Sequence, residues 1–276
     1  MALIIPEIYS QIVREKFLGK VKVANLATPL GELLNTTVGD TVIFPKFKTI
    51  TDANEVVKGT QSPIDSLDQD SSQATIKMID KIIRCYDIDN ITAIGSQIEE
   101  ASTQQAIVFA RKLDSDLITE AKTTPLKTAT GAAKAITANE LNSGLQNYGD
   151  DSDVEDIAGI VVNSLLDASF YAMDEFVDVN KTYTTSGNGI VSNGQIGYFR
   201  GIPVFHSDKD TYDSTTNEAI SFIIKKGALG YMEKRTINIQ QEREEKLHAT
   251  DIVGSYIYAA KLLMDDGVVM IRKTIA

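Results

Sequence analysis

Two histidines, His206 and His248, are the natural first candidates for proton transfer or metal binding in this chain. They lie too far apart in sequence to share a helical face, and a zinc-type pair needs a spacing of about three or four residues. His206 ends an apolar strand-like run, which makes it structural. The single cysteine, Cys85, excludes an intrachain disulfide and every Cys-x-x-Cys metal or redox motif, so the chain need not mature in an oxidising compartment. Within a strand it reads as a small apolar filler. There is no Gly-x-Ser-x-Gly elbow and no Walker A sequence. The run SGNGIVSNG has the glycines of a flexible loop without dinucleotide-binding spacing. The acidic cluster Asp150, Asp151, Asp153, Glu155 and Asp156 could attract a divalent cation. It lacks the glycine that an EF-hand loop needs at its sharp turn, so it reads as a solvated loop.

Charge narrows the field further. The 276 residues carry a net charge of −11, with 43% hydrophobic and 24% charged residues, an ordinary globular composition. An acidic balance disfavours a nucleic-acid-binding module, because phosphate contacts need Lys and Arg. No apolar run approaches the ~20 residues of a membrane span, and the N-terminus lacks the basic start and long apolar stretch of a signal peptide.

With little catalytic chemistry in view, the weight falls on the elements. Ile4, Ile5, Pro6 and Ile8 form a short apolar hook, followed by a helix from Glu7 to Phe17 and an extended VKVANLA. The run VGDTVIFPKFKTI (38–50) reads as a strand that Pro45 confines to an edge. A polar segment with an acidic tip at Asp65, Asp68 and Asp70 around Leu67 follows, then a long returning strand over 74–88. Together 38–88 describe a two-stranded ribbon that buries too little to stand alone. Helical spacing of Ile91, Ile94, Ile98, Ala101, Val108, Phe109, Leu113 and Leu117 predicts a long helix over 91–122. Residues 123–136 read as a linker. Thr137 and Glu140 make a capping-box pattern at the head of the next helix. IAGIVVNS (157–164) reads as a buried strand, LLDASFYAMDEF (165–176) as a helix and QIGYFRGIPVFHS as strand–turn–strand. AISFIIKK reads as a strand and GALGYMEK as a helical turn. YIYAAKLLM and VVMIRK read as a hairpin about Asp265-Asp266-Gly267, the glycine taking the left-handed position. This last stretch is expected to pair in a sheet beside the long helix.

IPEIYSQIVREKFLGKVKVANLA, GDTVIFPKF, QQAIVFARKLDSDLI, GQIGYFRGIPVFHSD and DGVVMIRK, in that order, resemble the successive parts of the Hong Kong 97-type capsid fold of tailed phages, over nearly the whole chain. The resemblance implies an α+β fold. Its parts would be an N-terminal arm (1–35), an extended β loop (36–90), a long spine helix with the linker of a peripheral domain (91–136), an axial domain (137–224) and a return to the discontinuous peripheral domain (225–276). It implies a structural protein, not an enzyme, without catalytic residue, cofactor or metal. As a major capsid protein it would self-assemble into hexamers and pentamers of an icosahedral head enclosing double-stranded DNA, without sequence-specific binding and without a membrane. The virion would be its place, after assembly in the host cytoplasm.

Partners implied are many copies of itself and a portal. Some members carry a scaffolding segment before the arm; this chain is expected to begin at the arm, which implies a separate scaffolding protein. Contacts between subunits would involve Ile4, Ile5, Asp65, Leu67, Asp68 and Asp70. Some members cross-link through a Lys–Asn isopeptide bond, but none of Lys46, Lys48, Lys58, Lys77 and Lys81 matches that chemistry. An encapsulin-like compartment shares the implied fold and would hold protein cargo in place of DNA. A soluble hydrolase using scattered carboxylates is the alternative from another class.

Overall fold

A computed structural model describes residues 6–18, 20–32, 41–47, 55, 58–59, 61, 64, 69–92, 97–149, 153–178 and 194–275. The first helix, α1 (Pro6–Leu18), opens on a proline, which needs no amide donor in the first turn. Tyr9, Val13 and Phe17 recur every four residues and are buried, while Ile8 and Ile12 face outward. The expected extended VKVANLA is instead a pair of tight turns: the Leu26 amide donates to the Val23 carbonyl and the Ala27 amide to Ala24. Its apolar residues are buried all the same, because the turns tuck them under α1.

The ribbon is shorter than the sequence suggests. β2 (Thr41–Phe47) pairs antiparallel with β3 (Gln69–Thr75), from Thr41 opposite Thr75 to Phe47 opposite Gln69. Beyond Thr75 the returning chain leaves the ribbon. β4 (Lys77–Tyr86) pairs antiparallel with β14 (Ala249–Leu262), and so becomes the outer strand of a four-stranded sheet. That sheet has the order β1 (Thr28–Glu32), β13 (Leu229–Glu244), β14, β4. GALGYMEK therefore opens a sixteen-residue strand and not a helical turn. Leu229 and Gly230 find ladder partners in Leu262 and Lys261, a long-range pairing invisible to local pattern.

The helix expected over 91–122 is described in two stretches, with 93–96 outside the described residues. α2 (Asp87–Thr92) is a short helix on which Ile91 is 84% exposed, and α3 (Gln97–Ala121) is the spine, roughly 37 Å long at 1.5 Å per residue. Its buried stripe runs through Ala106, Phe109, Ala110, Leu113, Leu117, Ile118 and Ala121. Val108 lies off that stripe, one position out of phase with Phe109. Ile94 is outside the described residues.

The second sheet has seven strands in the order β5, β15, β12, β6, β9, β8, β7. These are β5 (Leu126–Ala129), β6 (Ile157–Val162), β7 (Phe176–Asp178), β8 (Gln195–Phe199), β9 (Ile202–His206), β12 (Ser221–Lys225) and β15 (Val268–Arg272). β10 (Tyr212–Asp213) and β11 (Glu218–Ala219) form a separate small pair. Alternation explains the nearly all-apolar runs of β6, β12 and β15. Val161, Phe222, Ile224, Val268 and Met270 join the core around α3. Ile160, Val162, Ile223, Val269 and Ile271 join the core under α4 (Ala138–Gln146). A strand covered on both faces has no room for polar alternation.

Three local expectations change for physical reasons. The supposed linker contains β5, which lies parallel to β15 from Leu126 opposite Val269. The supposed helix over 165–176 shrinks to a 3-10 turn and α5 (Asp167–Tyr171), because Phe176 is already in β7. YIYAAKLLM and VVMIRK do not form a hairpin. Both edges of β14 are taken, by β13 and β4, so the chain crosses to the edge of β12. The left-handed backbone nearby belongs to Gly227 (φ +78°); Gly267 is small for space, since a Cβ there would fall 2.5 Å from that of Ala228.

The capping box is present in its reciprocal half: the Glu140 carboxylate accepts from the Thr137 amide at 2.7 Å and from Gly131 at 2.6 Å. The β8–β9 hairpin turns on Arg200–Gly201, both at positive φ, the two-residue type that matches strand twist. Gly197 in β8 permits the closest approach: an added Cβ would sit 2.3 Å from the Phe176 ring and 2.5 Å from the Val177 carbonyl. Gly197→Ala is expected to destabilise by about 2–3 kcal/mol through overpacking, read as a lowered urea midpoint at unchanged slope.

Candidate assembly surfaces

The ribbon is seated by a small apolar cluster. Val42, Phe44 and Ala74 are buried against Ala259 of β14, with Ile76, Met232 and Leu263 around them. Tyr256 and Tyr258 point to the opposite face of β14, where Tyr256 meets Phe17 edge-on at 5.6 Å and the Tyr258 hydroxyl donates to Asp116 of α3 at 2.6 Å. The sheet therefore carries the ribbon on one face and α1 with α3 on the other. Gln105 ties α3 to two strands, its amide nitrogen donating to the carbonyls of Lys81 (3.1 Å) and Ile252 (3.2 Å). These contacts orient the ribbon relative to the spine, although the ribbon's own cluster is small.

Outside these seats large apolar side chains face water. Ile43 on β2 is 61% exposed. On β4, Met78 (63%), Ile82 and Tyr86 occur at every fourth residue, all on the outer face of a strand whose second edge has no partner among the described residues. Ile88 (69% exposed) and Ile91 of α2 continue the patch. With Tyr86, Leu247 and His248 they line a mainly apolar recess of about 570 Å³. Charged pairs flank it. Arg84 grips Asp251 across the β4–β14 ladder at 2.7 and 2.6 Å, and Arg243 grips Asp87 at 2.8 and 2.6 Å. Each guanidinium holds its carboxyl below the usual range. Exposed pairs of this kind fix geometry more than they stabilise. A ten-residue unpaired edge with an apolar outer face is a surface that proteins normally cover.

Of the six residues anticipated as contacts, Ile4, Ile5, Asp65, Leu67 and Asp68 lie outside the described residues. Asp70 is in β3, its backbone opposite Lys46. The outer face of β4 was missed. Its signal, Met78–Ile82–Tyr86 at even spacing, was legible only once β4 was known to leave the ribbon. His206 closes β9, and its carbonyl accepts from Lys22 Nζ at 3.2 Å. Asp153, Glu155 and Asp156 are exposed in a 3-10 turn. Among the described residues no group of three His, Cys, Asp or Glu side chains is placed to hold a metal, and no helix is long and apolar enough to cross a membrane.

No family model matches the sequence. The major capsid protein of Staphylococcus phage phiMR11 is 26% identical over 273 residues, covering 98% of this chain and 93% of that one. Among solved structures, a chain of Mycobacterium phage Che8 aligns with a TM-score of 0.58 at 17% identity, covering 94% of this chain and 92% of its own. The capsid of cyanophage P-SCSP1u gives 0.62 at 16% (93% and 89%), and the capsid of an empty GTA particle 0.67 at 12% (93% and 90%). The structural likeness shows the fold, an α+β capsid fold, and the sequence likeness runs the length of the chain. Together they show a Hong Kong 97-type capsid fold and a full-length likeness to the major capsid protein of a phage.

Proposed function

We propose that the chain is the repeating subunit of an icosahedral phage head, assembling into hexamers and pentamers around double-stranded DNA. The observation that carries this reading is the distribution of exposed apolar side chains. Of the seven described ones that are more than half exposed, six (Ile43, Ile64, Met78, Ile82, Ile88 and Ile91) lie between Ile43 and Ile91, and the seventh is Ile8 of α1. A single subunit cannot cover that surface, but neighbours in a ring can. Closure multiplies modest contacts, since a subunit in a shell leaves only when several break together. In this reading 1–35 is the arm, 36–90 the extended loop, 91–136 the spine and its linker, 137–224 the axial domain and 225–276 the return to the peripheral domain. A scaffolding protein and a portal complete the assembly in the host cytoplasm, and the DNA is enclosed without sequence-specific contact. The acidic net charge suits a wall that faces packed DNA without adhering to it.

Deleting 52–67 spares every β2–β3 pair and removes most of the segment that joins the two strands. The truncated subunit is expected to stay folded by circular dichroism and to lose shell formation by light scattering. Normal shells from the truncated protein would show that this segment does not join subunits.

A further inference from the structure

A cavity of about 440 Å³ opens where three distant stretches meet: the turns after α1, the middle of α3 and the loop after β9. Lys20, Lys22, Arg111 and Lys209 line it, together with Asp114 and Asp208. Four cations converge there in a chain whose acids outnumber its bases 38 to 27. Neither carboxylate neutralises them by direct pairing. Both oxygens of Asp114 are engaged by the amides of Lys22, Val23 and Ala24, and Asp208 accepts from the Ser164 amide at 3.0 Å. Among the described residues Lys20, Arg111 and Lys209 make no ion pair.

Lys22 is held in place. Its ammonium donates to the His206 carbonyl, and its stem runs so close to Gly194 that a Cβ there would fall 2.8 Å from Lys22 Cδ. Four cations against two carboxylates leave the lining with positive charge in excess, so the cavity favours an anion. A guanidinium with several ammonium groups supplies many donors of one sign, which suits an anion with several oxygens better than a single carboxylate.

We propose that this cavity binds a phosphate group, free or carried on a nucleic-acid backbone. The site belongs to the single subunit and does not depend on shell formation.

The test is a thermal-unfolding titration of the full-length subunit with inorganic phosphate, against sodium chloride at matched ionic strength. The melting temperature is expected to rise with phosphate and not with chloride, as for any ligand of the folded state. Arg111→Gln and Lys209→Gln, both exposed side chains, are expected to fold normally and to weaken half-saturation by about tenfold each. A second arm uses a short oligothymidylate at equal phosphate content. A larger, variant-sensitive shift identifies the nucleic-acid backbone as the source. A shift with inorganic phosphate alone identifies the free anion. No shift beyond chloride with either probe, or shifts that survive both substitutions, would overturn the proposal.

Discussion

Asp114→Ala is expected to cost about 4 kcal/mol of folding stability, the largest single effect in the molecule outside its aromatic core. Asp114 sits in the spine helix and is 4% exposed. Its oxygens accept three backbone amides, from Lys22 and Val23 at 3.0 Å and from Ala24 at 2.9 Å. These amides belong to the tight turns that follow α1, and no strand or helix satisfies them. Alanine leaves all three without their side-chain acceptor at a nearly buried position, and each carries its own desolvation cost. The loss should appear as a lower urea midpoint, together with faster amide exchange across residues 9–27, which that carboxylate anchors to the spine.

The same residue has a pH signature. Burial pushes its carboxyl up to about 6, against the pull of the Ala24, Lys22 and Val23 amides. In the unfolded chain it ionises near the ordinary value of 3.8. The folded state therefore holds the proton longer, and the proton-dependent part of this group's stabilisation, complete below about pH 4, is lost as the pH rises to about 6. Asp114→Asn removes the titration. The stability of the native protein minus that of Asp114→Asn should fall by of order 3 kcal/mol across that window and stay level above it. A flat difference would mean that the three amides fully offset desolvation.

Arg272→Ala is expected to cost about 3 kcal/mol, because it strands a buried charge. Arg272 ends β15 and reaches Glu218 of β11, whose side chain is 1% exposed, and Asp213 of β10 at 3.0 Å. Burial pushes the Glu218 carboxyl up, and the Thr274 amide (2.9 Å), Arg272 and the Thr216 hydroxyl (2.9 Å) together bring it below the usual range. The network clamps the last residues of the chain onto the β10–β11 loop. Its stabilisation is present at neutral pH and is lost as acid protonates Glu218 through its lowered value. One nitrogen, Nη2, makes all three contacts to Asp213, Thr216 and Glu218, so Arg272→Lys should recover part of the loss, as far as its shorter stem lets the ammonium reach them. Equal stability of native protein and Arg272→Ala at pH 7 would show that the buried pair contributes nothing net.

Much of this architecture is legible in the residues because it is local or because burial is extreme. β6, β12 and β15 are apolar at nearly every position, and only a strand covered on both faces tolerates that. Thr137 and Glu140 mark the start of α4, and the strand–turn–strand over 195–206 is present. What escaped depends on distant partners. β4 continues β3 with only Ile76 between them, so nothing local shows that it leaves the ribbon for β14. β13 begins in GALGYMEK, whose small residues satisfy a helix as well as a strand until β14 lies alongside. β15 crosses between sheets because β14 is saturated, a fact of topology and not of composition.

The contact surface divides the same way. The proposal of the ribbon as an assembly element starts from its lack of core, which the sequence shows, whereas the exposed outer face of β4 could not be anticipated. Asp114 reads in sequence as one more acid on a helix surface. The cavity it lines draws on residues from three stretches that only the folded chain brings together.

Negative-stain microscopy of the purified full-length protein, with light scattering on the same sample, tests the central claim most directly. The account predicts closed shells of uniform size, or rings of five and six subunits, with the associated nucleic acid measured in the same particles. A monodisperse monomer across salt and pH, unchanged when a cognate scaffolding protein is supplied, would contradict it.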